Sequence, residues 1–147
     1  MKQNITMKIG SKTISADSRV FIIAELSANH NGSLDTAIGT IRAAKRAGAD
    51  CIKLQTYTAD TITIDSQEPD FMIKGTIWEG KNLYRLYREA YTPWEWHETL
   101  FKTAAEAGLE CFSSPFDKTA VDLLEKLGAP AYKIASFEIT DIPLIEY

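Results

Sequence analysis

Residues 48–57 read GADCIKLQTY, a glycine followed three residues later by a run with strand character. Gly48 is placed to end a helix, because glycine adopts the left-handed conformation of a helix C-terminus at little cost. In the strand over 51–57, Ile52 and Leu54 share one face while Lys53 and Gln55 share the other. The punctuation recurs. Gly108 and Gly128 each precede another strand by three residues, CFSSP over 111–115 and AYKIASF over 131–137, and the fifth position after each glycine is Lys53, Ser113 and Lys133. FIIAEL over 21–26 reads as a further strand upstream. Helical patterns fill the gaps. Ser33 caps a helix that aligns Leu34, Ala37, Ile38, Ile41 and Ala44, and Thr92-Pro93-Trp94-Glu95 reads as a capping box opening a helix to Gly108. DKTAVDLLEKLG over 117–128 is a third helix, and Asp141 caps the start of another. Strands alternating with helices predict an α/β fold with a parallel sheet.

The strand faces are unequal. Strands covered by helices on both sides read as nearly continuous apolar runs, yet here one parity carries charge. Lys133 stands between Ala131 and Ala135, opposite to Tyr132 and Ile134, and Glu25 has the parity of Phe21 and Ile23. The ionisable residues therefore share the face that a closed barrel turns inward, where layers of side chains come from alternate strands. Two lysines at one repeat position repel each other, and lysines are rarely buried without partners. A bound polyanion resolves the conflict. So does a solvent-facing rim, or pairing with Glu138 and Asp117, and the pattern alone leaves these readings open.

The loops decide which end of the fold is the candidate site. Those after the strands read ELSANHNG, QTYTAD, SSPFD and ASFEITD, whereas those at the opposite end are short glycine turns. Ligands of α/β sheets and barrels bind at the C-terminal ends of the strands. Helix starts at Ser33, Asp117 and Asp141 turn free N–H groups to the same rim, which suits phosphate.

Composition narrows the function classes. A chain of 147 residues, 45% hydrophobic and 24% charged, has the make-up of one soluble domain with a core. A net charge of −4 with no basic cluster argues against a nucleic-acid surface. There is no membrane-length apolar run, and MKQNITMKIG is too polar for a signal peptide, so a cytoplasmic location is expected. Cys51 and Cys111 lack metal-ligand spacing and read as buried thiols. Residues 4–16 alternate around Gly10-Ser11, which divides the chain into an N-terminal hairpin (1–20) and a main fold (21–147). Residues 58–91 are irregular apart from a short helix around NLYRLYREA. The aromatics Trp78, Tyr84, Tyr87, Tyr91, Trp94 and Trp96 are expected to pack this region onto the fold rather than to line a ligand pocket. His30 is expected as an exposed loop residue, within reach of a substrate, and His97 on the surface of its helix.

IAELSANHNG, AGADCIKLQTY, CFSSPFD and YKIASFEITD, in this order, resemble the N-terminal part of the sialic acid synthase family. The wording LQTYT, IWEGKNLYRLYREAYTPWEWHE and FSSPFDKTAVDLLEKL is most similar to its pseudaminic acid synthase branch. The resemblance covers residues 17–147 and implies a (β/α)8 TIM-type barrel, of which this chain holds the first half. It implies condensation of phosphoenolpyruvate with an acyclic diacetamido-trideoxy hexose, an amino-sugar aldehyde, to give a nine-carbon keto sugar acid. A related keto-sugar-acid synthase and a non-catalytic half barrel are the alternatives. By motif, Glu25 matches the catalytic glutamate, Lys53 and Lys133 the lysines that hold phosphoenolpyruvate, and Ser114 and Ser136 the hydroxyls beside its phosphate or carboxylate. Asn29, His30, Gln55 and Glu138 are weaker candidates on the substrate rim. The family uses a divalent metal, commonly manganese, held by two histidines from the second half of the barrel, and neither His30 nor His97 matches them. The chain is therefore expected to be a truncated synthase, inactive alone, that dimerises or self-associates through its uncovered sheet.

Overall fold

The computed structural model describes residues 5–147, so residues 1–4 of the segment assigned to the hairpin lie outside it. β1 (Met7–Ile9) and β2 (Lys12–Ile14) pair antiparallel around Gly10, whose φ of +57° is the left-handed value the turn requires. Glu110 lies against this turn and accepts hydrogen bonds from the Ser11 amide (2.9 Å) and hydroxyl (2.6 Å), tying the hairpin to the base of the main sheet.

The main sheet comprises β3 (Ile23–Ser27), β4 (Cys51–Thr56) and β5 (Glu110–Pro115), in that order and all parallel. Register places Glu25 beside Lys53, Lys53 beside Phe112, and Gln55 beside Ser114. α1 (Leu34–Arg46) and α4 (His97–Glu106) cover one face. The apolar stripe read from the sequence packs as expected: Ala37 and Ile41 are buried, with Leu34, Ile38 and Ala44 against the same core. That core joins Leu26, Ile52, Leu54 and Cys111 from the strands to Leu100 and Ala104 from α4. Ser33 caps α1 by accepting from the Thr36 amide. Asp117 caps α5 (Lys118–Lys126) by accepting from Thr119 and Ala120, and Asp141 caps α6 (Ile142–Glu146) by accepting from Leu144. No helix of the described residues is long and apolar enough to cross a membrane.

The segment between β4 and α4 holds a one-turn α2 (Ala59–Ile62), a 3-10 turn over Pro69–Phe71 and α3 (Leu83–Ala90). It closes over the C-terminal ends of the strands through a second cluster, in which Tyr57, Phe116 and Ala135 receive Tyr87 and Tyr91. The Tyr57 ring meets Tyr87 and Phe116 edge-on at 5.5 and 5.6 Å. Those tyrosines pack, as expected. Trp78 lies on a cavity wall.

Two elements differ from the reading of the sequence. The run 131–137 is not a full strand: it forms a single bridge, Tyr132 with Ser113, supported by the Lys133 amide donating to Ser113 O at 3.1 Å. It then turns at Ser136-Phe137, where the Glu138 amide returns to Ala135 O. The capping box at 92–95 does not form either. The helix starts as a 3-10 turn over Trp94–Trp96 without a side-chain cap, because the Thr92 hydroxyl is committed to His30 at 3.2 Å.

Asp50 gathers the N-terminal ends of all three strands. Its carboxylate accepts from the Ile22 amide at 2.9 Å and pairs with Arg19, its amide donates to Ile22 O, and its carbonyl accepts from Glu110. The Ile22 amide, then the Arg19 guanidinium, hold its carboxyl below the ordinary carboxylate range despite the opposing effect of burial. A depressed acid stabilises the fold above its unfolded pKa, and that stability is lost as pH falls through the folded value. Asp50→Asn should therefore cost about 1–3 kcal/mol near neutral pH. Urea unfolding should show this gap narrowing in acid as the wild-type carboxylate becomes protonated.

Candidate active site

The face of the sheet opposite α1 and α4 carries Glu25, Lys53, Gln55, Phe112 and Ser114. Lys53 is third in β4, flanked by Ile52 and Leu54, whose burial in the apolar core turns the lysine to the other face. Its side chain is only 6% exposed, yet its ammonium makes one ion pair among the described residues, 3.4 Å to Glu25 Oε2. Glu25 is 63% exposed and reachable from solvent. An ammonium has three donors, so one distant carboxylate leaves Lys53 under-coordinated. Ser114, one row further along beside Gln55, is fully buried and its hydroxyl has no hydrogen-bond partner.

The segment after β5 supplies the remaining candidates. Lys133 shares the parity of Phe112 and Ser114, because the bridge aligns Tyr132 with Ser113 on the helix-covered side. Glu138 has one carboxylate oxygen buried without a partner; desolvation raises its pKa, and nearby Lys133 opposes the rise. Lys133 and Ser136 are exposed. Glu25, Lys53, Gln55 and Ser114 are thus assembled on adjacent strands, while Lys133, Ser136 and Glu138 border them on a loosely paired segment. Of the two pairings left open by the pattern, Lys53 makes neither: its partner is Glu25.

Both histidines depart from expectation. His30 is buried, not exposed on the loop or the rim: Nδ1 accepts from the Gly32 amide at 3.2 Å, Nε2 meets the Thr92 hydroxyl at 3.2 Å, and Trp96 packs edge-on at 5.2 Å. His97 is buried rather than on its helix surface, with Nε2 2.9 Å from the Thr56 hydroxyl and Nδ1 3.1 Å from Pro93 O. Thr56 in turn lies 2.7 Å from the Ser113 hydroxyl. Partner chemistry fixes the protons. Pro93 O can only accept, so a neutral His97 carries its proton on Nδ1, Thr56 donates to Nε2, and Ser113 donates to Thr56. The Gly32 amide can only donate, so His30 carries its proton on Nε2. The network ties the ends of β4 and β5 and the loop after β3 to the start of α4. Sequence reasoning missed it, and the only signal was the cluster of Thr and His in QTYT and TPWEWH.

Among the described residues no group of three or more His, Cys, Asp and Glu is placed to share a metal ion. The ring nitrogens of both histidines are already committed. This donor set does not fit a divalent metal.

A parallel sheet with helices on one face and an acid–lysine row on the other, ending in a polar rim, defines an α/β protein whose ligand end is the C-terminal end of its strands. A NeuB family model matches residues 40–147, and the chain belongs to that family. It is 55% identical over 135 residues to pseudaminic acid synthase of Campylobacter jejuni subsp. jejuni serotype O:2, covering 92% of this chain and 39% of the relative. It is 36% identical to N,N'-diacetyllegionaminic acid synthase of Legionella pneumophila, covering 94% of this chain and 39% of that protein. The crystal structure of N-acetylneuraminic acid (sialic acid) synthetase from Leptospira borgpetersenii in complex with citrate superposes with a TM-score of 0.79 at 27% identity, over 97% of this chain and 45% of that one. The chain thus spans about two fifths of the length of the curated relatives it matches.

Burial lowers the pKa of both His30 and His97 below the ordinary value of 6.5. The unfolded chain then binds more protons than the folded one as pH falls through 6.5, so the fold loses stability in mild acid. Thermal unfolding followed from roughly pH 8 to pH 5 should show a falling midpoint. His97→Gln should lower the midpoint at neutral pH and flatten its further fall, whereas an unchanged slope would remove His97 as a source of the dependence.

Proposed function

We propose that this chain supplies the phosphoenolpyruvate half of the active site of a synthase that condenses phosphoenolpyruvate with an acyclic acylamino-sugar aldehyde, forming a pseudaminic-acid-type nine-carbon keto sugar acid. The single observation that carries the reading is Lys53, a buried ammonium with one long ion pair, one row from the unpartnered Ser114 hydroxyl. A compact polyanion completes both, and fixed cations in a water-poor site are what such a substrate exchanges for its hydration. Identity of 55% to a pseudaminic acid synthase, against 36% to a diacetyllegionaminic acid synthase, favours the former product over a related keto sugar acid.

In this proposal Lys53 and Lys133 hold the phosphate and carboxylate, with Ser114 and Ser136 donating hydrogen bonds and Gln55, Asn29 and Glu138 bordering the rim. His30 supports the rim from beneath. C3 of the enol attacks the aldehyde carbon, and positive character develops at C2. Water adds there, and Glu25 accepts one of its protons and returns it to the former aldehyde oxygen, which becomes a hydroxyl. The hydroxyl left on C2 gives its proton to the departing phosphate as the C2–O bond to phosphate breaks and the ketone forms. The divalent metal implied by the resemblance, manganese, is assigned to ligands outside these residues.

The proposed architecture is a hairpin (1–20) followed by the first half of a (β/α)8 barrel (21–147), working in the cytoplasm. The apolar side chains of Val20, Ile22, Ile134, Phe137 and Ile139, all at least 40% exposed, support it, since a completed barrel would cover them. The 147-residue chain alone should therefore self-associate and release no phosphate at a full-length rate. Light scattering behind size exclusion showing a stable monomer would contradict the half-barrel reading.

Isothermal titration of the chain with phosphoenolpyruvate tests the site itself. Lys53→Ala should weaken binding about tenfold or more, the worth of one charge-assisted contact to an anion. Glu25→Gln, which removes a negative charge, should bind at least as well as wild type. Equal affinity of wild type and Lys53→Ala would end the proposal.

A further inference from the structure

We infer that His97 is a positioning residue for the second cation of the proposed anion site: through the hydroxyls of Thr56 and Ser113 it secures the main-chain seat of Lys133. That role rests on the function proposed above, in which Lys53 and Lys133 share one anion. The two lysines are mounted differently. Lys53 stands mid-strand in β4, paired with β3 on one side and β5 on the other. Lys133 stands on a segment joined to β5 by a single bridge, and its amide donates to Ser113 O. Where Ser113 sits therefore decides where Lys133 sits.

Ser113 is held in two ways. The sheet ladder pairs it with Leu54. Its hydroxyl lies 2.7 Å from that of Thr56, two residues beyond Leu54 on the same face, and Thr56 reaches His97 Nε2 at 2.9 Å. This diagonal tie resists sliding of β5 along β4. His97 anchors it to the start of α4, where Nδ1 donates to Pro93 O at 3.1 Å. All three side chains are buried, so water does not stand in for a lost partner. Among the described residues the Ser113 hydroxyl meets that of Thr56 alone.

A count of donors requires the imidazole to be neutral. The chain has two links, His97 to Thr56 and Thr56 to Ser113. With His97 protonated on Nδ1 alone, the two hydroxyl protons fill both links. An imidazolium brings a third donor, Nε2–H, so one buried O–H is left without an acceptor whichever way the chain runs. Such a group carries its full desolvation cost, and turning it out of the chain unties Ser113. Burial is the largest influence on His97 and opposes the charge; the main chain of Pro93 and Trp94 and the Glu95 carboxylate on its own 3-10 turn favour it, and His30 in the loop after β3 opposes it. β4 and β5 meet the ring with the neutral hydroxyls of Thr56 and, through it, Ser113.

A double-mutant cycle on the full chain, read by isothermal titration with phosphoenolpyruvate at mildly alkaline pH, tests the role. Wild type, His97→Ala, Lys133→Ala and the double variant are compared, with circular dichroism checking that each is folded. His97→Ala should weaken binding about fivefold alone but less than about twofold in the Lys133→Ala background, the mark of coupled residues. His97→Gln, whose side-chain carbonyl can accept from Thr56, should restore most of the affinity. Mild acid should cost wild type more than His97→Gln, protonation of the ligand being common to both. If His97→Ala does not fold, Ser113→Ala takes its place, since it deletes one hydroxyl and keeps the main-chain bond to Lys133. Equal losses in both backgrounds, wild-type affinity in folded His97→Ala, no rescue by glutamine or an equal pH dependence would each overturn the positioning role, while binding by wild type leaves the proposed function standing. If wild type binds no phosphoenolpyruvate the proposed function falls, and amide hydrogen exchange decides the tie. A Lys133 amide that exchanges faster in His97→Ala than in wild type and His97→Gln upholds it, and an unchanged rate overturns it.

Discussion

The constraint on which the candidate site depends is a lysine ammonium held inside a β-sheet with too little negative charge around it. Lys53 is nearly inaccessible, and its one partner, Glu25, is mostly in solvent. A half-exposed pair is screened and contributes little, while a desolvated ammonium costs several kcal/mol unless its donors are met. Nothing in packing demands a lysine there, because the apolar core lies on the other face, where Ile52 and Leu54 flank it. In the proposed site the residue is explained by the anion it would bind. The unpartnered Ser114 hydroxyl one row away has the same incompleteness, and one anion would satisfy both.

Such a site has to be held open against collapse, and the two ends of the sheet are locked by different chemistry. At the base, the Asp50 carboxylate and its backbone bond Ile22, Arg19 and Glu110, so the strands start in register. At the rim, the tie is neutral: Ser113, Thr56 and His97 form one chain of hydrogen bonds, and Thr92, His30 and Gly32 form another. Both lie beneath the site, on the helix side of the strands. Fully satisfied buried networks specify one arrangement of the elements they join. Using uncharged imidazoles keeps further cations away from Lys53, at the cost of sensitivity to acid.

Much of this was legible in the sequence, and the exceptions have physical causes. Parity within a strand put Lys53 on a face without apolar neighbours, and the glycine stops located β4 and β5. Counting from those glycines failed at Ser113. β4 begins at Cys51, three residues after Gly48, but β5 begins at Glu110, two after Gly108, so the fifth position falls on opposite faces. Ser113 therefore joins the helix-side network, and its neighbour Ser114 faces the site. The run 131–137 has strand composition, but composition supplies no partner, and only Tyr132 bridges to β5. The histidines were misplaced because polar residues in a loop and near a helix start look solvated. Their burial depends on Thr92 lying 62 residues from His30 and Thr56 lying 41 from His97, separations that local pattern cannot see.

The open edge of the sheet links fold to chemistry once more. β3 is an outer strand, exposed at Ile23, its first residue, and at Ile22 just before it, with Glu25 at its middle. An uncovered strand edge is a pairing surface, and in the proposed barrel a last strand would close against it. Closure would do more than hide apolar surface. It would take Glu25 out of water, lower the dielectric around its pair with Lys53, and strengthen a contact that at 3.4 Å and high exposure is now weak. The proposed proton acceptor and the proposed anion-holding lysine would then be coupled by the completion of the fold, which is why residues brought together on three strands need not yet form a working site.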